Sequence, residues 1–136
     1  MRRLSPVLTL LFAALALAVA GCGGSDEESE DESATPAEAV AEIDEIKRML
    51  DEGLAQYQDG DQEAADTTVG DAYLEHFEKV EHPLEEEDHE LMEELEEAIS
   101  TDLRNDIKDG KSADEIEAAV AAINTDLDRA VVLLKG

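Results

Sequence analysis

Phe77-Glu78-Lys79-Val80-Glu81-His82-Pro83-Leu84-Glu85-Glu86-Glu87-Asp88-His89-Glu90-Leu91 is the stretch on which the fold turns. Its apolar members, Phe77, Val80, Leu84 and Leu91, recur at intervals of three, four and seven, which is the spacing of one helix face. Pro83 interrupts the pattern, because the residue before a proline avoids the helical region. Two divisions are open. Either Pro83 begins a new helix, or the helix bends there and continues until Asp88 caps the next one. The second is preferred, since an aspartate side chain accepts well from first-turn amides and a histidine does not.

Reading outward from that junction gives four helices. Upstream, Ala65, Val69, Ala72, Tyr73, Phe77, Val80 and Leu84 make the stripe of helix 2, in which Gly70 either weakens the helix or admits a close neighbour. Asp59-Gly60-Asp61 separates it from helix 1: the glycine suits a C-terminal turn and Asp61 an N-cap. Helix 1 opens on the capping box Thr35-Pro36-Ala37-Glu38 and carries Val40, Ile43, Ile46, Leu50, Leu54 and Tyr57. Downstream, helix 3 carries Leu91, Leu95, Ile99, Leu103 and Ile107 and stops at Gly110. A second capping box, Ser112-Ala113-Asp114-Glu115, opens helix 4 with Ile116, Val120, Ile123, Leu127, Val131 and Leu134. Four stripes joined by short turns predict an all-α, antiparallel four-helix bundle over residues 35–136. With two tyrosines and, beyond the leader, one phenylalanine, its core is aliphatic.

The chain begins differently. Arg2 and Arg3 precede an apolar run from Val7 to Ala20, and Val19-Ala20-Gly21-Cys22 follows. A positive start, a short apolar stretch and small residues before the processing point define a secretory leader over residues 1–21. The run is short for a spanning helix, which needs about 20 apolar residues. Small residues before a cysteine resemble a lipobox, so Cys22 is expected to carry lipid and to hold the protein on the extracytoplasmic face of a membrane. Cys22 is also the only cysteine, which excludes an intrachain disulfide. Residues 22–34 form an acidic linker; Gly23 to Ser33 contains no apolar residue and is expected to stay disordered.

Charge narrows the partners. The chain has 37 acidic and 10 basic residues, a formal charge of −27, and loss of Arg2 and Arg3 with the leader takes this to −29. Nucleic acid is excluded by phosphate repulsion, and anionic lipid is repelled as well. The acids either attract cations or keep the surface solvated, as in salt-adapted proteins.

Tyr57-Gln58-Asp59-Gly60-Asp61 and Ala72-Tyr73-Leu74-Glu75-His76-Phe77-Glu78-Lys79-Val80-Glu81 carry a resemblance that continues through Leu84, Glu90-Leu91, Leu95-Glu96 and Leu103-Arg104. Together these residues resemble the helical extracytoplasmic domain found ahead of the membrane part in high-affinity iron permeases. The resemblance implies a role in presenting iron to an uptake system, with a permease as partner, and it carries over onto Glu78 and Glu81 as ligands. The chain departs from such permeases in having no transmembrane helices after this domain.

Spacing alone adds three residues. Glu78, His82, Glu85 and His89 follow i, i+4, i+7 and i+11, and Glu81 lies beside them. Carboxylates with imidazole suit iron or another divalent or trivalent cation; a glutamate-rich helix flank, however, supplies such spacings by composition alone. Sharper motifs fail. His89-Glu90-Leu91-Met92-Glu93 has a glutamate where a zinc protease needs its second histidine. Glu86-Glu87-Asp88-His89 is a single Glu-x-x-His where a di-iron bundle uses two. Asp59-Gly60-Asp61 lacks the rest of a calcium loop, and Asn105 stands where a phosphate loop ending Gly110-Lys111-Ser112 needs its first glycine. Tyr57 and Tyr73 carry phenols of the kind that ligates ferric iron, but their stripe positions assign both to the core. No nucleophile is paired with a base, so an enzyme is not expected. Two readings remain: a lipid-anchored cation-binding module accessory to iron uptake, and a helical adaptor lipoprotein whose acids serve solubility.

Overall fold

The computed structural model describes residues 34–136; the leader, Cys22 and the acidic run to Ser33 lie outside the described residues. The described part is helical and forms four rods. The first is α1, Pro36–Gln58. The second joins α2, Gln62–Asp71, through a π-helical segment, Ala72–Phe77, to α3, Glu78–Glu87. The third joins α4, His89–Glu97, through a second π segment, Ala98–Asp102, to α5, Leu103–Lys108. The fourth is α6, Ala113–Lys135.

Local chemistry sets each boundary. At the start of α1 the Thr35 amide donates to Glu38 Oε2 at 2.8 Å while the Thr35 hydroxyl oxygen accepts from the Glu38 amide at 3.4 Å. Ser112 and Glu115 repeat this box at α6. The two rod-to-rod turns pivot on Gly60 and Gly110, whose φ values of 89° and 69° are the left-handed conformation that closes a helix C-terminus. At the remaining junction Asp88 is extended, with φ −155° and ψ 91°, and its carboxylate accepts from the Leu91 amide at 3.1 Å. The helix therefore runs through Pro83, which is buried, and ends at Asp88. The missing proline N–H costs one i→i−4 hydrogen bond inside α3, and burial of the ring beside Val80 and Leu84 offsets it.

Packing makes the rods antiparallel neighbours. The second and third touch at α2–α5 and again at α3–α4, so the chain returns along its own path. Tyr57, at the end of α1, donates its hydroxyl to the Lys111 carbonyl just before α6, and Lys47 in mid-α1 meets Asp128 late in α6 at 2.6 Å. The core between them is Ile43, Ile46, Leu50, Val69, Phe77, Val80, Leu84, Leu91, Leu95, Ile99, Leu103, Ile107, Ile116, Val120, Ile123, Leu127 and Leu134, with Ala39, Ala65 and Ala130 where helices come close. Val40, Leu54, Tyr57, Tyr73 and Val131, all stripe residues, lie at the margin of that core.

Gly70 resolves in favour of close approach. A Cβ there would stand 3.2 Å from Arg104 Cζ, and Arg104 reaches across from α5 to donate to Asp66 at 2.8 Å. That guanidinium and the Lys108 ammonium hold the Asp66 carboxyl below the usual aspartate range, so the clamp between the second and third rods weakens as pH falls through the lowered value. Burial makes a direct prediction for stability. Leu50→Ala removes a fully buried side chain and should cost ~2–5 kcal/mol in urea unfolding, whereas Val132→Ala, at a position 71% exposed, should stay within about 0.5 kcal/mol.

Candidate cation site at Tyr73 and Glu81

The π segment Ala72–Phe77 decides where the chemistry falls. Winding with i→i+5 hydrogen bonds places more residues in a turn than an α-helix does, so Tyr73 and His76 reach different neighbours. His76 Nδ1 pairs with Glu42 Oε2 of α1 at 2.5 Å, and Lys79 joins the same carboxylate at 3.1 Å. Through that contact with His76, and secondarily Lys79, the Glu42 carboxyl is held below its ordinary value. Tyr73 turns the other way. Its ring stacks on Phe77 with centroids 5.9 Å apart, and its hydroxyl donates to Glu96 Oε1, at the end of α4, at 3.4 Å.

Glu81 of α3 completes this corner. Its Oε1 is shielded from solvent and has no hydrogen-bond partner, an arrangement that disfavours an ionised carboxylate. Desolvation accordingly raises the Glu81 pKa; the neighbouring Tyr73 hydroxyl opposes the shift, and the negative charges of Glu96, Glu78 and Glu85 reinforce it. The same environment pushes the Tyr73 phenol up to about 12, by burial first and then by Glu81, Glu96 and Glu78. Glu81, Glu96 and Tyr73 are half-buried, whereas Glu78 and Glu85 form an exposed rim.

The five residues singled out in the sequence thus divide. Glu78, Glu81 and Glu85 share one electrostatic neighbourhood with Tyr73. His82 pairs with none of them, and His89 reaches them only at the rim, through Glu85. His82 lies two residues from each of the buried Val80 and Leu84 and so faces solvent, with Nε2 3.8 Å from Glu86. His89 follows the break at Asp88 and lies 3.7 Å from Glu85 and 3.4 Å from Glu93, with more than half its side chain exposed. Among the described residues, no three His, Cys, Asp or Glu side chains converge as a ready-made ligand set. Cys22 lies outside the described residues. Two members of the corner, Tyr73 and Glu96, were not among the expected ligands. Tyr73 lay on a core stripe, and the register that brings Glu96 against it is set by packing between rods.

Comparison with known protein families, with curated proteins and with solved structures finds no match to this chain.

The raised Glu81 pKa carries a sign. A carboxyl whose folded-state pKa lies above its unfolded value opposes folding once pH exceeds both, and ceases to do so when protonated in each state. Glu81→Gln should therefore raise Tm at pH 7, with the gain fading below the ordinary glutamate value of about 4.3. Thermal unfolding followed by circular dichroism at both pH values checks this, and an equal Tm for the two proteins at pH 7 would refute it.

Proposed function

We propose that this protein is an extracytoplasmic lipoprotein whose bundle binds a cation at the Glu81 corner, as an accessory to iron uptake. The observation that carries the reading is the solvent-shielded, unpartnered Glu81 Oε1 beside Tyr73 and Glu96. A cation there would supply the positive charge that the fold withholds. Every lysine and arginine from Lys47 to Arg129 lies within ion-pair distance of an acid. Among the described residues none of these pairs involves Glu78, Glu81, Glu85 or Glu96; even the adjacent Lys79 turns to Glu42. In a chain this acidic the few cations neutralise other sites and leave this one uncompensated.

The leader-like start and Cys22 support attachment to a membrane through lipid, and the resemblance to the extracytoplasmic domain of iron permeases supports iron as the cargo and a permease as the partner. Among the described residues no helix is long and apolar enough to cross a membrane. The proposed role is binding and delivery, with no bond made or broken in a substrate.

Calorimetric titration of the full chain with ferric, ferrous and zinc ions tests the reading. Saturable binding should weaken at least tenfold, about 1.4 kcal/mol, in Glu81→Ala and in Glu96→Ala. Heat that is insensitive to both changes and disappears with added salt would instead support the adaptor reading. Anchoring has its own test: metabolic labelling with a fatty acid should mark the wild-type protein and leave Cys22→Ser unlabelled.

A further inference from the structure

We infer that the bundle opens at one end only, where α3 meets α4, and that ionic strength controls the opening. The inference stands apart from the cation-binding reading, because it concerns the closure of a helix end and needs no bound ion.

Three helix ends lead into the next rod, and two of them are latched. An α-helix leaves its last carbonyls without intrahelical donors. After α1 the amides of Asp59, Gly60 and Asp61 fold back onto the carbonyls of Ala55, Tyr57 and Gln56. After α5 the amides of Asp109, Gly110 and Lys111 repeat this on Asn105, Ile107 and Asp106. Side chains then tie these two ends to each other: Tyr57 donates to the Lys111 carbonyl at 2.6 Å, and Gln62 Nε2 donates to the Lys108 carbonyl at 2.9 Å. The end of α3 is built differently. It closes on a single bond, from the Asp88 amide to the Leu84 carbonyl at 2.7 Å, and the extended Asp88 then leads the chain away. Among the described residues, the one side-chain hydrogen bond made from positions 82–91 is the Asp88 cap on Leu91, and none ties this junction to α1 or α6.

Charge acts on the same turn. Glu85, Glu86 and Glu87 occupy it with no basic residue, whereas α5 and α6 end on Lys108 and Lys135. Carboxylates at a helix C-terminus oppose the helix dipole, and salt screens that opposition. Among the described residues no lysine or arginine pairs with the three glutamates; their contacts are with His82 and His89, at 3.8 and 3.7 Å. Burial of Leu84 and one backbone bond thus hold the last turn of α3 against its own charge. Local opening begins where backbone bonds have least support. In dilute salt the turn frays and uncovers Leu84; screening closes it, while the latched end stays folded.

Hydrogen exchange of the full chain, read at the three equivalent closing amides, provides the test. Distance alone favours Asp88, since Asp59 and Asp109 donate at the longer 3.0 and 2.8 Å. After correction for intrinsic rates, Asp88 should instead exchange at least about tenfold faster than both in about 0.01 M sodium chloride, where the Debye length is ~30 Å. The difference should shrink at least about threefold in about 1 M salt, where that length is ~3 Å, and choline chloride should act as sodium chloride does. Glu87→Lys should slow Asp88 in dilute salt; Asp44→Lys, the same charge change at an exposed position of α1, should not. Equal protection of the three amides in dilute salt, a reading that needs no variant, overturns the opening point. Fast exchange at Asp88 that ignores salt, that sodium corrects and choline does not, or that both variants slow equally, overturns its control by local charge and ionic strength.

Discussion

Each rod of this molecule must turn an aliphatic stripe inward while almost everything else on its surface is negatively charged. Hydrophobic burial is the only large favourable term available, since the chain has 37 acids against 10 bases and a single cysteine. The bundle meets that constraint in two ways. It buries no charged or polar residue among those described, and it places its scarce cations where helices meet. Lys47 joins α1 to α6, Lys79 joins α3 to α1, and Arg104 with Lys108 joins α5 to α2. Such exposed or half-exposed pairs contribute little individually. Their effect is to remove repulsion at the interfaces where carboxylates would otherwise crowd.

The Glu81 corner departs from this pattern. Glu81 and Glu96 lie beside the Tyr73 phenol with Glu78 and Glu85 on the exposed rim, the Glu81 Oε1 is shielded without a partner, and no lysine or arginine pairs with any of the four. Native structures pair the great majority of their buried polar atoms, so each exception calls for an explanation. The cation proposed for this corner would supply the positive charge that the shielded oxygen lacks.

Much of the fold was legible because its determinants are local. Both capping boxes, both turn glycines and the Asp88 cap act within four residues of their own position, and the stripes follow from helix periodicity. Passage of the helix through Pro83 was legible for the same reason: Asp88 outranks His82 as a cap. The π segments were not. No residue type marks them. The core alanines Ala39 and Ala130 also escaped, because a small side chain at a close crossing leaves no hydrophobic signature.

That same distinction explains why the candidate site was half visible. Glu78, Glu81 and Glu85 lie on one helix flank; the resemblance pointed to the first two, and spacing added Glu85. Spacing also drew in His82 and His89, because it counts residues without knowing which direction the core lies; once Val80 and Leu84 point inward, His82 must point out. Tyr73 and Glu96 come together only through the register between rods, at a separation of 23 positions in the chain. Tyr73 moreover looked like a core residue because its ring is one: it stacks on Phe77, and only its hydroxyl leaves the core. A tyrosine at the edge of an apolar stripe can thus serve packing with one end and chemistry with the other. Here the π segment, which an uninterrupted helical reading overlooks, determines which acids the hydroxyl meets.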